Sequence, residues 1–532
     1  VPKVPASKFF PLFAHGDGTR RSYPESLPGL TINASVRDAV ERINAAAGNG
    51  AITPSLVVEY VDTSGVRQTR TVAADGSTSI TGVAPFLVHF DATGTRSVVT
   101  TGDSEPEAYN NIGYRLNSGE AIGGTWTYGG RSRDEDTGPP IFGRVYTQTG
   151  TFTARLRCRD SESNESTRSF TVVVTAPPTA ALITVASGSW PTFTSGSHYS
   201  LEAGGNYTSF GQLSCDALHN ILFSKSGSGA DPIISTFQPD SRNNVDSVIT
   251  AARNIRIQDI DCASFTPSNV GFQYCGAVRG RVRRSFPPSY SDGSNATQRN
   301  NHRYPRGMFL WDTGEMNPDV GEQYVWLTAG RHVHLAGVVM HKNGAAGNHT
   351  VRSLHHKSSM RHCNFYATVA VVTHFKQQAL EVTAGDGQPD SWEINDDRVR
   401  PSDGSRKYGY PNSYFVLHSN QFDRAGTTLA DNAVAIAPQF DDTPAPDEGH
   451  EFNALEDCIA ANANFNNQNP NVVDLGGRYL SVRNVRMSMG TGTYATLGNG
   501  SKNSNNIPPG WNNPGSVNLV ESVNTRPVPT AF

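Results

Sequence analysis

At 532 residues the chain exceeds one ordinary hydrophobic core, so about two to four domains are expected. Hydrophobic residues make up 36% and charged residues 17%, with 51 glycines and 32 prolines, a balance that suits many short strands joined by polar turns and disfavours a helical bundle. The net charge of −4 leaves no electrostatic footprint for nucleic acid, and no apolar run reaches the ~18 residues of a bilayer-spanning helix.

Residues 1–80 are expected to form a small α+β module for attachment or packing. Pro2, Pro5, Pro11, Pro24 and Pro28 keep its start irregular. Ser35-Val36-Arg37-Asp38 reads as a variant capping box, opening a short helix with Val36, Ala39, Val40 and Ile43 on one face. Gly48 and Gly50 end it. A hairpin comes next, 56–61 and 66–72, around the turn Asp62-Thr63-Ser64-Gly65. The first residue is Val1 and not Met, from which removal of an N-terminal segment is expected.

Residues 81–176 predict a β-sandwich, with strand-like runs at 86–90, 142–146, 152–157 and 169–174 and a stiff exit at Pro177-Pro178. Three stretches carry a resemblance: Val83-Ala84-Pro85-Phe86-Leu87-Val88-His89-Phe90-Asp91-Ala92, Val145-Tyr146-Thr147-Gln148-Thr149-Gly150-Thr151-Phe152-Thr153-Ala154, and Arg157-Cys158-Arg159-Asp160. On these the segment resembles the PKD family of immunoglobulin-like domains. The family's central W-D-F-G-D run is reduced to Trp126-Thr127-Tyr128-Gly129-Gly130, without either acid. The resemblance implies an extracellular spacer or contact module without catalysis.

From 180 to 500 short apolar strands recur, at 182–185, 220–223, 254–257, 332–335, 414–417 and 479–482. Several lead to a polar turn and then Phe: Asp261-Cys262-Ala263-Ser264-Phe265, His362-Cys363-Asn364-Phe365, Ser419-Asn420-Gln421-Phe422 and Ala461-Asn462-Ala463-Asn464-Phe465. One such unit cannot bury its apolar face alone, but stacked units bury a continuous column. Asn tolerates the left-handed conformation of tight corners and can stack in hydrogen-bonded rows. About 25–35 residues per turn would give roughly nine to thirteen turns. The stretch Tyr199-Ser200-Leu201-Glu202-Ala203-Gly204-Gly205-Asn206-Tyr207 and the glycine turn and strand at 226–234 resemble the right-handed parallel β-helix proteins of bacterial secreted and phage-tail type. That group includes pectate and alginate lyases, polygalacturonases, phage tailspikes and non-catalytic adhesins, and none of its catalytic motifs maps onto this chain. The expected fold class is therefore mainly β: a right-handed parallel β-helix, preceded by an immunoglobulin-like sandwich and the α+β module. Residues 501–532 read as an irregular tail.

Chemistry is sought in the insertions. His332, His334, His341, His349, His355, His356, His362 and His374 crowd one region, with Arg352, Lys357 and Arg361 beside them. A polysaccharide lyase needs a cation against a uronate carboxylate and a base for the C5 proton, which such residues on adjacent turns would supply. The plainer expectation is solvated strand and turn positions. Asp386, Asp390, Glu393, Asp396 and Asp397 offer glycosidase carboxylates, which must stand ~5–9.5 Å apart, or a Ca2+ site at Asp386 and Asp390. A solvated loop is the plainer reading here too. Trp311, Trp326, Tyr408 and Tyr410 are candidate sugar-stacking rings, the last two in a loop at 408–411. Arg279, Arg281, Arg283 and Arg284 form a basic run. The six cysteines contain no CxxC pair, so no zinc site is expected; Cys262 and Cys275 are either bridged or small apolar core residues. Sequons at Asn33, Asn164, Asn206, Asn295, Asn348 and Asn499 suit an Asn-rich chain without glycosylation.

The leading expectation is an extracellular, cell-surface or virion-surface structural or adhesive protein. It would present a glycan-binding or subunit-binding face, as a homo-oligomer or part of a larger surface assembly, with no resident cofactor. A tailspike-like lyase or glycoside hydrolase and a filament or trimer subunit are the alternatives.

Overall fold

The structure is a computed structural model. It describes the backbone of residues 52–97, 112–160, 163–239, 252–265, 273–283, 306–314, 326–342, 349–367, 371–376, 379–382, 400–401, 406–409, 414–423, 434–439, 454–463, 471–474, 480–483, 486–489, 496–498 and 517–519. Side chains are described through 283 and at 307–314, 332–340, 357–365, 414–422 and 454–459. The described residues are mainly β. The expected helix near Ser35 lies outside them.

Two sheets occupy residues 57–175. A hairpin sheet runs in the order Arg67–Thr71, Val57–Val61, Phe86–Asp91, Ile141–Tyr146, antiparallel throughout. A second sheet runs Ser79–Val83, Glu165–Thr175, Gly150–Arg159, Gly113–Asn117, Glu135–Gly138. Burial along Gly150–Arg159 alternates residue by residue at its buried end, the period of a strand with one face in a core. Val58, Tyr60, Phe86, Phe90, Phe142, Tyr146, Leu156, Phe170 and Val172 form one cluster between the sheets. The boundary expected at 80/81 is thereby corrected. The hairpin shares a sheet with Phe86–Asp91, and Ser79–Val83 straddles the boundary, because Val58 and Tyr60 bury their side chains in this same core.

From Ala181 onward every pairing among three series of strands is parallel. The first series contains Ala181–Ile183, His198–Glu202, Leu222–Ser226, Arg256–Gln258, Gln273–Val278, Arg306–Trp311, the later half of Trp326–Ala336, Ser359–Arg361, Val416–His418, Ala454–Glu456, Leu480–Arg483 and Val517–Leu519. A second series contains Ile233–Phe237, Asp261–Phe265 and Arg281–Val282, then Val339–Lys342, Asn364–Ala367, Gln421–Asp423, Ile459–Ala463 and Arg486–Met489. The third begins with the earlier half of Trp326–Ala336 and continues through His349–His356, Val371–Lys376, Val434–Gln439, Asn471–Asp474 and Thr496–Gly498. Parallel pairing extends to Leu519, so the tail expected to be irregular supplies one strand.

Sequence chemistry sets this arrangement at two places. The first is the interior. Phe223, Ile257, Ala277, Leu310, Leu335, Met360, Leu417 and Leu455 are register partners in succession, and all belong to one buried cluster. In the second series Phe237 stacks on Phe265 at 5.3 Å and Phe365 on Phe422 at 5.1 Å. Trp190 and Phe193 pack at the first strands of the series, against Tyr207 and Phe223.

The second place is the corner from first-series to second-series strand. Two residues make it after Gln258, Val278, Ala336, Arg361, His418 and Glu456. The leading residue is left-handed each time: Asp259, Arg279, Gly337, His362, Ser419 and Asp457, with φ of 55°, 55°, 65°, 56°, 56° and 54°. Such a conformation is costly for a residue with a Cβ, so the turn must be enforced by the pairing on either side. A second left-handed set, Asn220, Asn254, Tyr274, His332, Lys357 and Tyr414, stands at the entry to first-series strands. Here Asn254 Nδ2 donates to Asn220 Oδ1 at 2.7 Å, the expected Asn row in miniature.

All six cysteines have free thiols. Cys262 and Cys275 sit in different series, and their thiols meet the carbonyls of Ser264 and Gln273. Burial pushes the Cys262 thiol up to about 12, as expected of a small core residue.

Candidate functional site

In a strand, alternate side chains face opposite ways. With the Phe223-to-Leu455 column turned inward, the flanking first-series residues must face outward. They include Arg256, Phe309, His334, Ser359, Arg361, Val416 and His418, and each is buried. The outward face of the hairpin sheet covers them. Val61, Leu87, Trp126 and Val145 join Tyr274, Val278, Phe309, Trp311 and Ala336 in one cluster, and Ile141 joins Tyr414, Val416 and Ala454 in another. A polar seam runs through these apolar patches.

At one end Arg256 donates to the carbonyls of Val83 and Pro85 at 2.7 and 2.9 Å. In the middle, Glu59 Oε1 accepts the Tyr274 hydroxyl at 2.7 Å and lies 3.1 Å from His332 Nδ1. The His332 ring is stacked on His89, centroids 3.6 Å apart. His89 Nδ1 meets His334 Nε2 at 2.9 Å, and His334 Nδ1 meets Ser359 Oγ at 2.7 Å. Lys357 donates to Asp91 at 2.8 Å.

At the other end Arg361 spreads its guanidinium over Asp136 Oδ1 and the carbonyls of Thr137, Pro139 and Ile141, at 2.8–3.1 Å. His362 lies 3.4 Å from the same carboxylate, and His418 lies 3.4 Å from Asp457. Arg131 pairs with Asp457 and Arg133 with Asp312. Trp126 stacks flat on the His362 ring, centroids 5.4 Å apart. Burial would raise the Asp136 carboxyl, but Arg361 and the two imidazoles outweigh it and hold it far below the usual carboxylate range. Burial lowers the His418 imidazole, against the pull of Asp457.

The expectation of solvated histidines is therefore corrected. His332, His334 and His362 are 4%, 3% and 1% exposed, and Arg361 is 1% exposed, because the hairpin sheet, Trp126 and the strand Glu135–Gly138 lie over them. Trp311 is corrected as a sugar platform: it is 4% exposed, edge-on to Trp126 with the Arg144 guanidinium over its ring. Two members of the basic run are neutralised, Arg279 by Asp259 and Arg283 by Asp261 of the preceding turn. Tyr408 begins where a loop was expected, yet it lies in the strand Arg406–Gly409 paired with Ala379–Val382. Trp326, Arg352 and His356 lie on third-series strands, with Arg352 in register with His374 and His356 with Arg331. Tyr410, Asp386 and Asp390 lie outside the described residues.

Sequence reasoning missed Glu59, His89, Asp136 and Tyr274. A signal was present for two of them. Glu59 and His89 are register partners inside strands whose other outward residues, Val61 and Leu87, are too apolar for water. A sheet apolar on both faces announces a second partner.

Among the described residues the seam exchanges hydrogen bonds between largely buried groups. A space beside Trp126, Trp311, Asp136 and Arg144 is about the size of one water. Among the described residues no group of His, Cys, Asp or Glu is arranged to hold a metal, and no helix is long and apolar enough to cross a membrane. No family model, curated protein or solved structure matches the chain.

Proposed function

We propose that the protein is a structural or adhesive element of an extracellular, cell or virion surface. In this reading the three parallel series coil into a right-handed β-helix, and the two-sheet unit is an immunoglobulin-like domain of PKD type fixed along its side. The rod presents a rigid face to a glycan or to another subunit. One observation carries the reading: His332, His334 and Arg361, three of the candidate catalytic residues, fasten the two-sheet unit to the parallel strands. Charge spent in this way stiffens a scaffold and leaves it unavailable to a substrate.

Full-length protein, incubated with a panel of neutral and uronate-containing polysaccharides, is expected to bind one class or to self-assemble without cleaving any. New reducing ends or unsaturated uronates would overturn this. They would favour the lyase or hydrolase reading, with Arg352, His374, Arg331 and His356, adjacent by register, as the first residues to substitute.

A further inference from the structure

The middle of the seam is built of imidazoles. His89, His332 and His334 are 1%, 4% and 3% exposed. The 2.9 Å contact between His89 Nδ1 and His334 Nε2 requires one hydrogen between the two nitrogens. When both rings are imidazolium, both facing nitrogens are donors and the contact turns repulsive. The His332 ring, stacked 3.6 Å from His89, adds a third site where positive charge would gather in a poorly screened interior.

We propose that the seam is a pH-sensitive clasp, in which a second proton on the His89–His334 pair loosens the strand Phe86–Asp91 from the first-series strands. The groups facing this array fix its sign. From the hairpin sheet come Glu59, which balances charge on His332 at 3.1 Å, and Asp91, already engaged by Lys357 at 2.8 Å. From the first series come Tyr274, Ser359 and Lys357, with the Phe309 ring 5.1 Å from that of His334. Glu59 faces His332 and Asp91 attracts His89, but a second proton on the His89–His334 pair still sets two donors face to face at 2.9 Å. The clasp holds while the His89–His334 pair shares one proton and weakens as pH falls far enough to add the second. His418, lowered by burial at the far end of the seam, acts in the same direction. The clasp does not depend on the proposed surface role.

The test is amide hydrogen exchange of Phe86–Asp91 in the full chain, corrected for the intrinsic pH dependence of exchange. Protection is expected to fall about tenfold or more from about pH 7.5 to about pH 5, the size of a one-unit proton linkage. His89→Gln keeps a donor and an acceptor but cannot titrate, so its protection should stay nearly flat. His418→Gln should leave the response of this strand in place. Unchanged protection in the native chain overturns the proposal, as does a full response in His89→Gln. If His89→Gln does not fold, carbon-13 titration of the three rings in the native chain decides. Protonation that tracks the loss of protection supports the clasp; protonation of all three rings with protection intact overturns it.

Discussion

Arg361 donates to one carboxylate and three carbonyls that lie 220–225 residues earlier in the chain. Its planar fork suits such a set, and a lysine ammonium at the same place would reach only part of it. Arg361→Met is expected to lower stability by about 3–5 kcal/mol, because Asp136 stays buried without its main counter-charge. Arg361→Lys should recover only part of this, and urea midpoints of the three proteins check the order. The residue stands out in the sequence for its charge beside histidines, and that much was legible. Its partners were not, since nothing local to 361 points to 136–141. Glu59, His89 and Asp136 escaped notice for the same reason: each is unremarkable in its own strand and acquires meaning only across the seam.

At the scale of strands the pattern was more legible. The turn-then-Phe signature located Asp261–Phe265, Asn364–Ala367 and Gln421–Asp423, because the left-handed corner and the inward ring are local facts. Of the turn expected at Ala461-to-Phe465, the last two residues lie outside the described residues, and the register partner of Phe422 is Ala460. Phe422→Ala, at a fully buried site beside Phe365, is expected to cost about 3–5 kcal/mol, read as a fall in the thermal midpoint. Four strands of the two-sheet unit were legible from their apolar runs, at 86–90, 142–146, 152–157 and 169–174, whereas Ser79–Val83, Gly113–Asn117 and Glu135–Gly138 were not. The boundary at 80 was not, because a hairpin read by itself gives no sign of which sheet it will join.

Taken whole, the described residues form two bodies held by more than their covalent link. The connection at 176–180 contains Pro177-Pro178 and is largely exposed, whereas the seam buries arginine, histidine and aromatic side chains along much of one face. A protease site introduced at Thr179 is therefore expected to give two fragments that co-elute in size-exclusion chromatography near neutral pH. Fragments that separate without denaturant would show that the link, and not the seam, holds the bodies together.

The constant two-residue corner also divides the chain into places where its length is free and places where it is not. One residue inserted between Arg361 and Asn364 would exchange the inner and outer faces of the strand Asn364–Ala367. By contrast, the passages from Lys376 to Val416 and from Gln439 to Ala454 already differ widely in length while the strands they join keep their pairing. Foreign sequence grafted into either passage leaves the register of the parallel strands untouched, and cargo carried beside neighbouring strands would stand about 4.8 Å apart. The molecule in that sense carries its own graduated scale, with one edge open to variation and another closed to it.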